Sequence, residues 1–371
     1  MGRYYYNDQS NQNLTDQIMK VIMSAKKYIK LSSFLMQDKR VVDALKKVST
    51  SGQAAVFVIS NQINREDEEY RFTDTGGKNK GSENGKPGIN LHQYFLQGLF
   101  YNGIHVRLLK ELHAKFIIAD GEQGLLMSAN ISPNSLTKNV ESGISLTGEQ
   151  LHDLERVFDI MYTHADIVQF IGEGNRDIVK KVNRKIIADD LKCLTGDIKM
   201  TAAQHYSASA QYDDSNFSEI NVTTLYETII DIINEARESV YIVSWVFKDP
   251  HRKLKKFQKA VLNAIERGVN IYLFYNHNMP EHNERNQDKY ITYLRENGCY
   301  VFSDNINHSK CILNESRGFL FTANIDGGTG LLEGFEVGAI MDEEQYTEAL
   351  AHVNSLINTS TKYNKNGRTR Y

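Results

Sequence analysis

Apolar positions recur along this chain in two matched series. Leu14, Ile18, Val21, Ile22 and Ala25 fall at helical spacing, and the run from Tyr28 to Leu35 then reads as a strand. The same pair returns as Leu225, Ile229, Ile232, Ile233 and Ala236, followed by a strand from Val240 to Phe247, with Ser33-Phe34 aligned on Ser244-Trp245. A helix and strand over Val42 to Ile59 match Leu254 to Tyr275, and a helix ending at Asn102-Gly103 matches one ending at Asn297-Gly298. The pattern therefore predicts an internal duplication spanning most of the chain. Short β-branched strands alternating with helices predict α/β layering, a mixed sheet flanked by helices in each half.

Offsets between the copies locate an insertion: 244 − 33 = 211 before it and 298 − 103 = 195 after it, so the first half holds 16 extra residues. They fall within Asn61 to Asn90, a charged, Gly-rich stretch read either as a surface loop or as a lid over a site. Between the halves, Leu151 to Tyr162 and Ile171 to Leu191 read as amphipathic helices and Ala202 to Ser218 as a linker. The expected division is a first half over 1–165, a helical connector and linker over 166–218, a second half over 219–358 and a polar, frayed tail over 359–371.

With 371 residues there is room for two cores, and 43 basic against 46 acidic residues give a net charge of −3. That balance excludes a globally basic nucleic-acid coat protein; a polyanion would have to be met by a local patch. Three cysteines, Cys193, Cys299 and Cys311, are too few and odd in number for a disulfide framework, which predicts reduced thiols and a cytoplasmic setting. No stretch reaches the ~18 apolar residues of a spanning helix, so no stable membrane insertion is expected.

The candidate chemistry sits at matching points of the two copies. His113, Lys115, Asn130 and Glu141 recur as His308, Lys310, Asn324 and Glu336. His to Lys is 2 in both, His to Asn is 17 and 16, and His to Glu is 28 in both. One His-x-Lys triplet means nothing in a chain with 11 His, but two ordered sets at near-constant offsets are hard to obtain by accident.

These residues resemble the phospholipase D superfamily, whose members carry two copies of His-x-Lys with an Asp five residues after the Lys, then Ser-x-Asn, then Glu. The first copy matches at His113, Lys115, Asp120, Ser128, Asn130 and Glu141, with Met127 where the family usually has Gly. The second departs further: Glu315 replaces the Asp, and Phe321-Thr322 replaces Gly-Ser. The resemblance implies two fused halves facing each other about a pseudo-twofold with the active site between them, and His113 as nucleophile with His308 as acid.

Splitting a phosphodiester needs a nucleophile, an acid for the leaving oxygen, and donors for the non-bridging oxygens. Histidine suits the first two tasks because its ordinary pKa lies near neutrality. Lys115 and Lys310 would hold the phosphate as point charges and Asn130 and Asn324 would donate to it. Ser128 and Thr322 are expected as supporting donors, Glu141 and Glu336 as carboxylates that orient the rings, and Asp120 and Glu315 one layer further out. No Cys pair or His-x3-His spacing supports a metal, so neither metal nor cofactor is expected.

The bond type leaves the substrate open. The expectation is a nuclease, DNA before RNA; the alternatives are a phospholipase or phosphatidyl transferase, and a non-catalytic module that binds a phosphorylated ligand. A helix predicted from Pro250 to Glu266 carries Arg252, Lys255, Lys256 and Lys259 on one face, a candidate nucleic-acid contact, whereas the single Trp245 falls in an apolar strand, which disfavours a lipid surface. Some bacterial nucleases of the superfamily sit in anti-phage systems with a partner ATPase, so the resemblance also admits such a partner, or a homo-oligomer.

Overall fold

The stripe Leu14, Ile18, Val21 and Ile22 becomes the buried face of the helix Asn13–Ser24, and Leu225, Ile229, Ile232 and Ile233 do the same for Thr224–Glu235. The next helix of the first half, Lys39–Thr50, starts where the Asp38 carboxylate accepts the backbone N–H groups of Arg40 and Val41; its counterpart in the second half is Lys255–Glu266. The computed structural model describes residues 2–8, 10–61, 91–171, 176–180, 191, 194, 196–203, 221–249, 251–278, 281–327, 330–364 and 367–369. Residues 62–90, which hold the expected insertion, and 204–218 of the expected linker lie outside the described residues.

Each half is built on a mixed sheet. The first has the strand order Tyr4–Asn7, Glu141–Leu146, Gln123–Met127, Phe116–Ala119, Tyr28–Ser33, Ala55–Asn61, His105–Leu109, Asp166–Ile171 and Arg176–Lys180. The second runs Asn221–Val222, Ile198–Ala203, Gly334–Ile340, Gly318–Phe321, Cys311–Asn314, Ser239–Val243, Asn270–Asn276, Tyr300–Asp304, Thr361–Asn364 and Gly367–Thr369. Both contain a parallel trio, Tyr28–Ser33 with Ala55–Asn61 and His105–Leu109, and Ser239–Val243 with Asn270–Asn276 and Tyr300–Asp304. The helices that link the parallel strands cover one face of each sheet, giving each half a core of its own.

The opposite faces share a third core. Phe116, Leu126 and Ile144 of the first sheet pack in one cluster with Phe274, Leu313, Leu320 and Val337 of the second and with the long helices Gly148–His164 and Glu343–Thr359. Backbone hydrogen bonds stitch the halves at two equivalent points. The N–H groups of His113 and Ala114 donate to Phe335 O at 3.0 and 2.8 Å, and that of His308 donates to Val140 O at 2.8 Å. Gly334 is required at the first: its φ is +85°, and a Cβ there would lie 2.7 Å from Glu111 O.

Three sequence expectations are corrected. Ile171 to Leu191 was expected as a helix, but residues 171 and 176–180 belong to the strands Asp166–Ile171 and Arg176–Lys180, which extend the free edge of His105–Leu109, and only Leu191 of the remaining described residues is helical. The expected connector also contributes Ile198–Ala203, paired along its length with Gly334–Ile340. The tail expected to fray instead pairs through Thr361–Asn364 with Tyr300–Asp304 and folds back through Gly367–Thr369. In each case a strand edge offering unpaired N–H and C=O groups outweighs local propensity.

Candidate active site

The bridges between the halves bring the two histidines together with the carboxylates of the opposite copy. His113 Nδ1 lies 2.7 Å from Glu336 Oε1, and His308 Nδ1 lies 2.8 Å from Glu141 Oε1. Each glutamate starts or lies within the strand whose backbone meets the other half's histidine segment, so the pairing crosses the interface twice. Ser128 and Thr322 hold these carboxylates from behind: Ser128 Oγ donates to Glu141 Oε2 and Thr322 Oγ1 to Glu336 Oε2, both at 2.5 Å. The hydroxyl oxygens in turn accept the N–H groups of Ser142 and Val337 at 3.0 Å. The two hydroxyls, expected as supporting donors, thus donate to the glutamates.

Lys115 and Lys310 are completely buried. Each curls back on its own turn, Nζ donating to His113 O at 2.5 Å and to His308 O at 2.6 Å, and Lys310 Nζ also lies 3.3 Å from His308 Nδ1. Two buried cations beside two carboxylates are the kind of paired arrangement that tolerates desolvation. Asn130 is buried and Asn324 half-buried, and the buried Oδ1 of each has no hydrogen-bond partner among the described residues. A half-turn of either amide would put its –NH2 in that place, facing a ligand.

The two histidines differ. His113 has a side chain 20% exposed and His308 only 5%. Burial, with the Lys115 and Lys310 cations adding to it, pushes the His113 pKa down to about 4 against the opposing pull of Glu336, so its ring is neutral at pH 7. For Glu141, burial raises the carboxyl, but His308, Lys310 and the Ser128 hydroxyl together outweigh it and leave it below its ordinary value.

Asp120 and Glu315, expected one layer behind the site, lie at the far end of the strand that follows each lysine, ~16 Å away at an ordinary strand rise. Asp120 accepts the backbone N–H groups of Lys26, Lys27 and Tyr28, and Glu315 those of Arg237 and Glu238. Both clamp the turn between the first helix of their half and the strand that follows it, Tyr28–Ser33 or Ser239–Val243.

The basic helix is shorter than expected. It runs from Lys255 to Glu266, and Arg252 precedes it in a left-handed turn, φ 53°, off the helix face. Lys255, Lys256 and Lys259 are exposed, while Phe257, Ala260, Val261 and Ala264 face the core. Pro250, the expected start, lies outside the described residues.

Two site residues escaped the sequence reading. Phe34 sits edge-on to His113 with ring centroids 5.2 Å apart, and Trp245 lies at the same distance from His308. Trp245 was expected within an apolar strand; it follows the strand Ser239–Val243 and is half-buried. The alignment of Ser33-Phe34 on Ser244-Trp245 was the signal that could have found both.

The chain matches the family model described as cardiolipin synthase, PLD-like domain, over residues 18–162 and 229–357. No curated protein matches it. Among solved structures it is similar to phosphatidylserine synthase from Haemophilus influenzae Rd KW20, with a TM-score of 0.64, 12% identity, and coverage of 97% of this chain and 87% of that one. It is also similar to polyphosphate kinase from Porphyromonas gingivalis, with a TM-score of 0.59, 14% identity, and coverage of 99% and 49%. Nuc, a phospholipase D family member from Salmonella typhimurium, aligns with 48% of this chain and 97% of its own, at 16% identity and a TM-score of 0.35. At these identities the first two likenesses show the fold.

Proposed function

The chain belongs to the phospholipase D superfamily, and from that premise we propose that it is a metal-independent phosphodiesterase that cleaves nucleic acid, DNA before RNA, through a phosphohistidine. The observation that carries the chemistry is the crossed bracing of the two rings. A histidine whose Nδ1–H is held by a carboxylate presents the Nε2 lone pair, and His113, kept neutral by burial, is in the form that attacks.

In the first step His113 Nε2 bonds to phosphorus while the bond to the leaving oxygen breaks, and protonated His308 gives that oxygen its proton. In the second, His308 takes a proton from water, the water oxygen bonds to phosphorus, and the P–N bond breaks, returning His113 to its neutral form. Lys115 and Lys310 bind the non-bridging oxygens together with the Asn130 and Asn324 amides, exchanging their contacts to the histidine carbonyls for contacts to phosphate. Glu336 and Glu141 hold the rings and stabilise their cationic forms.

For the substrate, the support is the exposed triplet Lys255, Lys256 and Lys259. Their helix begins beyond the carboxyl end of Ser239–Val243, the side of an α/β sheet where sites form and where Trp245 meets His308. Three lysines on three phosphates of duplex DNA imply a log–log salt slope of roughly −2.7, about a 40-fold loss of affinity between 50 and 200 mM salt. Lys255→Glu with Lys256→Glu should flatten the slope and leave hydrolysis of bis-p-nitrophenyl phosphate intact; a parental slope in the double variant removes this support.

The description of the matching family, cardiolipin synthase, favours a second reading in which the same phosphohistidine chemistry acts on a phosphatidyl group. No helix among the described residues is long and apolar enough to cross a membrane, so such a substrate would be met at a bilayer surface. Incubating the protein with supercoiled plasmid, RNA and mixed phospholipid vesicles in EDTA separates the readings. Nicked plasmid and an alkali-stable, acid-labile adduct on His113 are expected; turnover of phospholipid alone gives the answer to the second reading.

A further inference from the structure

Each histidine of the site lies beside one aromatic ring, and both rings are delivered by the same device. Ser33 Oγ donates to Leu35 O at 2.7 Å and accepts the Ile131 N–H at 3.2 Å; Ser244 Oγ donates to Val246 O at 2.7 Å and accepts the Ile325 N–H at 3.1 Å. Ile131 and Ile325 directly follow Asn130 and Asn324. The serine thus locks the aromatic step after the first strand to the segment carrying the asparagine. Leu35, Met36, Val246 and Phe247 around these steps are buried, whereas Phe34 and Trp245 are both half-buried. Rings that only filled the core would be covered like their neighbours.

The two rings do different things to their histidines. Phe34 meets His113 edge-on, at an interplanar angle of 70°, and has Lys115 Nζ 5.9 Å from its centroid, so it is boxed between two groups of the site. Trp245 is tilted at 53° to His308 and is the larger face, beside the more deeply buried histidine. The geometry points to Trp245 as a specificity-determining residue whose indole receives the flat face of the group carried on the leaving oxygen, while Phe34 positions the ring that attacks. This rests on the reading above in which His308 protonates the leaving oxygen: the leaving group must then pass within hydrogen-bond reach of His308 and hence against Trp245. An indole offers stacking to any planar ring and no hydrogen-bond readout, which predicts a preference for flatness over identity.

The test compares ligands that share a phosphate and differ in flatness. Phenyl phosphate against cyclohexyl phosphate, and thymidine 3′,5′-bisphosphate against its abasic analogue, are titrated by calorimetry into the parent protein and into Trp245→Leu and Trp245→Phe. Because the chain has a single tryptophan, fluorescence in the parent reports contact at this residue alone. The flat member of each pair should bind more tightly by roughly 5- to 150-fold, the range stacking gives for one base, and quench the fluorescence. Trp245→Phe should keep most of the preference, and Trp245→Leu should bring it within about twofold. Equal binding of phenyl and cyclohexyl phosphate by the parent, no binding of either, or a preference that survives Trp245→Leu overturns the role. A Trp245-dependent preference for phenyl phosphate with no preference between the nucleotide and its abasic analogue leaves the stacking role standing and sinks the nucleic-acid substrate instead.

Discussion

Replacing Glu336 by Gln should do more damage than replacing it by Ala, and the structure says why. Thr322 Oγ1 accepts the Val337 N–H, so its own hydrogen is committed to Glu336 Oε2, and an amide in that place must turn its oxygen toward Thr322. The –NH2 is then forced toward His113 Nδ1, which lies 2.7 Å from the other carboxylate oxygen. His113 Nδ1 becomes an acceptor, the proton moves to Nε2, and the lone pair needed for attack is gone. Loss of one buried charge-assisted hydrogen bond, as in Glu336→Ala, is worth about 2–3 kcal/mol, a fall of roughly 30- to 150-fold in kcat/KM. A wrong tautomer on top of that should bring the loss in Glu336→Gln to about 10⁴-fold. The corresponding Glu141→Gln acts on His308: an –NH2 facing Nδ1 disfavours the cationic ring that serves as acid and leaves Nε2 without the lone pair that takes a proton from water, so a loss of similar size is expected. Steady-state hydrolysis of bis-p-nitrophenyl phosphate gives the ratios, and ¹⁵N spectra of the histidine rings give the tautomers. If Glu336→Gln costs no more than Glu336→Ala, or keeps the parental His113 tautomer, the reasoning from Thr322 is wrong.

Hydrolysis should persist within twofold in excess EDTA, since the proposed path draws both acid and nucleophile from the two histidines; an activity abolished by chelation and restored by Mg²⁺ would count against the phosphohistidine path. Stability should fall between pH 6.5 and 4, because burial holds His92 and His352 at about 4 while in the unfolded chain they protonate near 6.5. The unfolded state therefore binds more protons in that window, and denaturant melts at pH 5 should show the drop shrinking by about 2 kcal/mol in His92→Gln. Glu315→Gln and Asp120→Asn should leave kcat/KM nearly unchanged, because both carboxylates serve only backbone N–H groups far from the site, whereas Lys310→Ala and His308→Ala should each bring activity near background; equal losses in all four would place Glu315 and Asp120 in the chemistry.

What could be read from the sequence was what is local. A helix face repeats every three or four residues and a His-x-Lys spacing spans three, so the helices, the parallel strands and the two matched sets are all visible at short range. The offset of 28 from His to Glu could not say which histidine each glutamate serves, because an equal offset in both copies is satisfied by pairing within a half or across halves. That choice is made by hydrogen bonds joining residues some two hundred positions apart, His113 to Phe335 and His308 to Val140. The strands at Arg176–Lys180 and Thr361–Asn364 were missed for the same reason: an open edge in the finished sheet made them, not their own residues.

The crossed pairing also accounts for the irregular second copy. Where the first copy has Met127-Ser128, the second has Phe321-Thr322, and the structure gives the first position of each pair to packing, both being fully buried in the core of their half. The second position needs only a hydroxyl that accepts a backbone N–H and donates to a carboxylate, which threonine does at the same 2.5 Å as serine. Glu315 reaches the backbone at Arg237 with one more methylene than Asp120 uses at Lys27, at the same 2.7 Å. Each departure thus falls where the function asked of the side chain is shared by the residue that replaces it. Because Ser128 fixes the carboxylate of His308 and Thr322 that of His113, a defect in either copy would disable the other half's histidine, so the two copies are free to diverge only within the limits that these hydroxyls and carboxylates set.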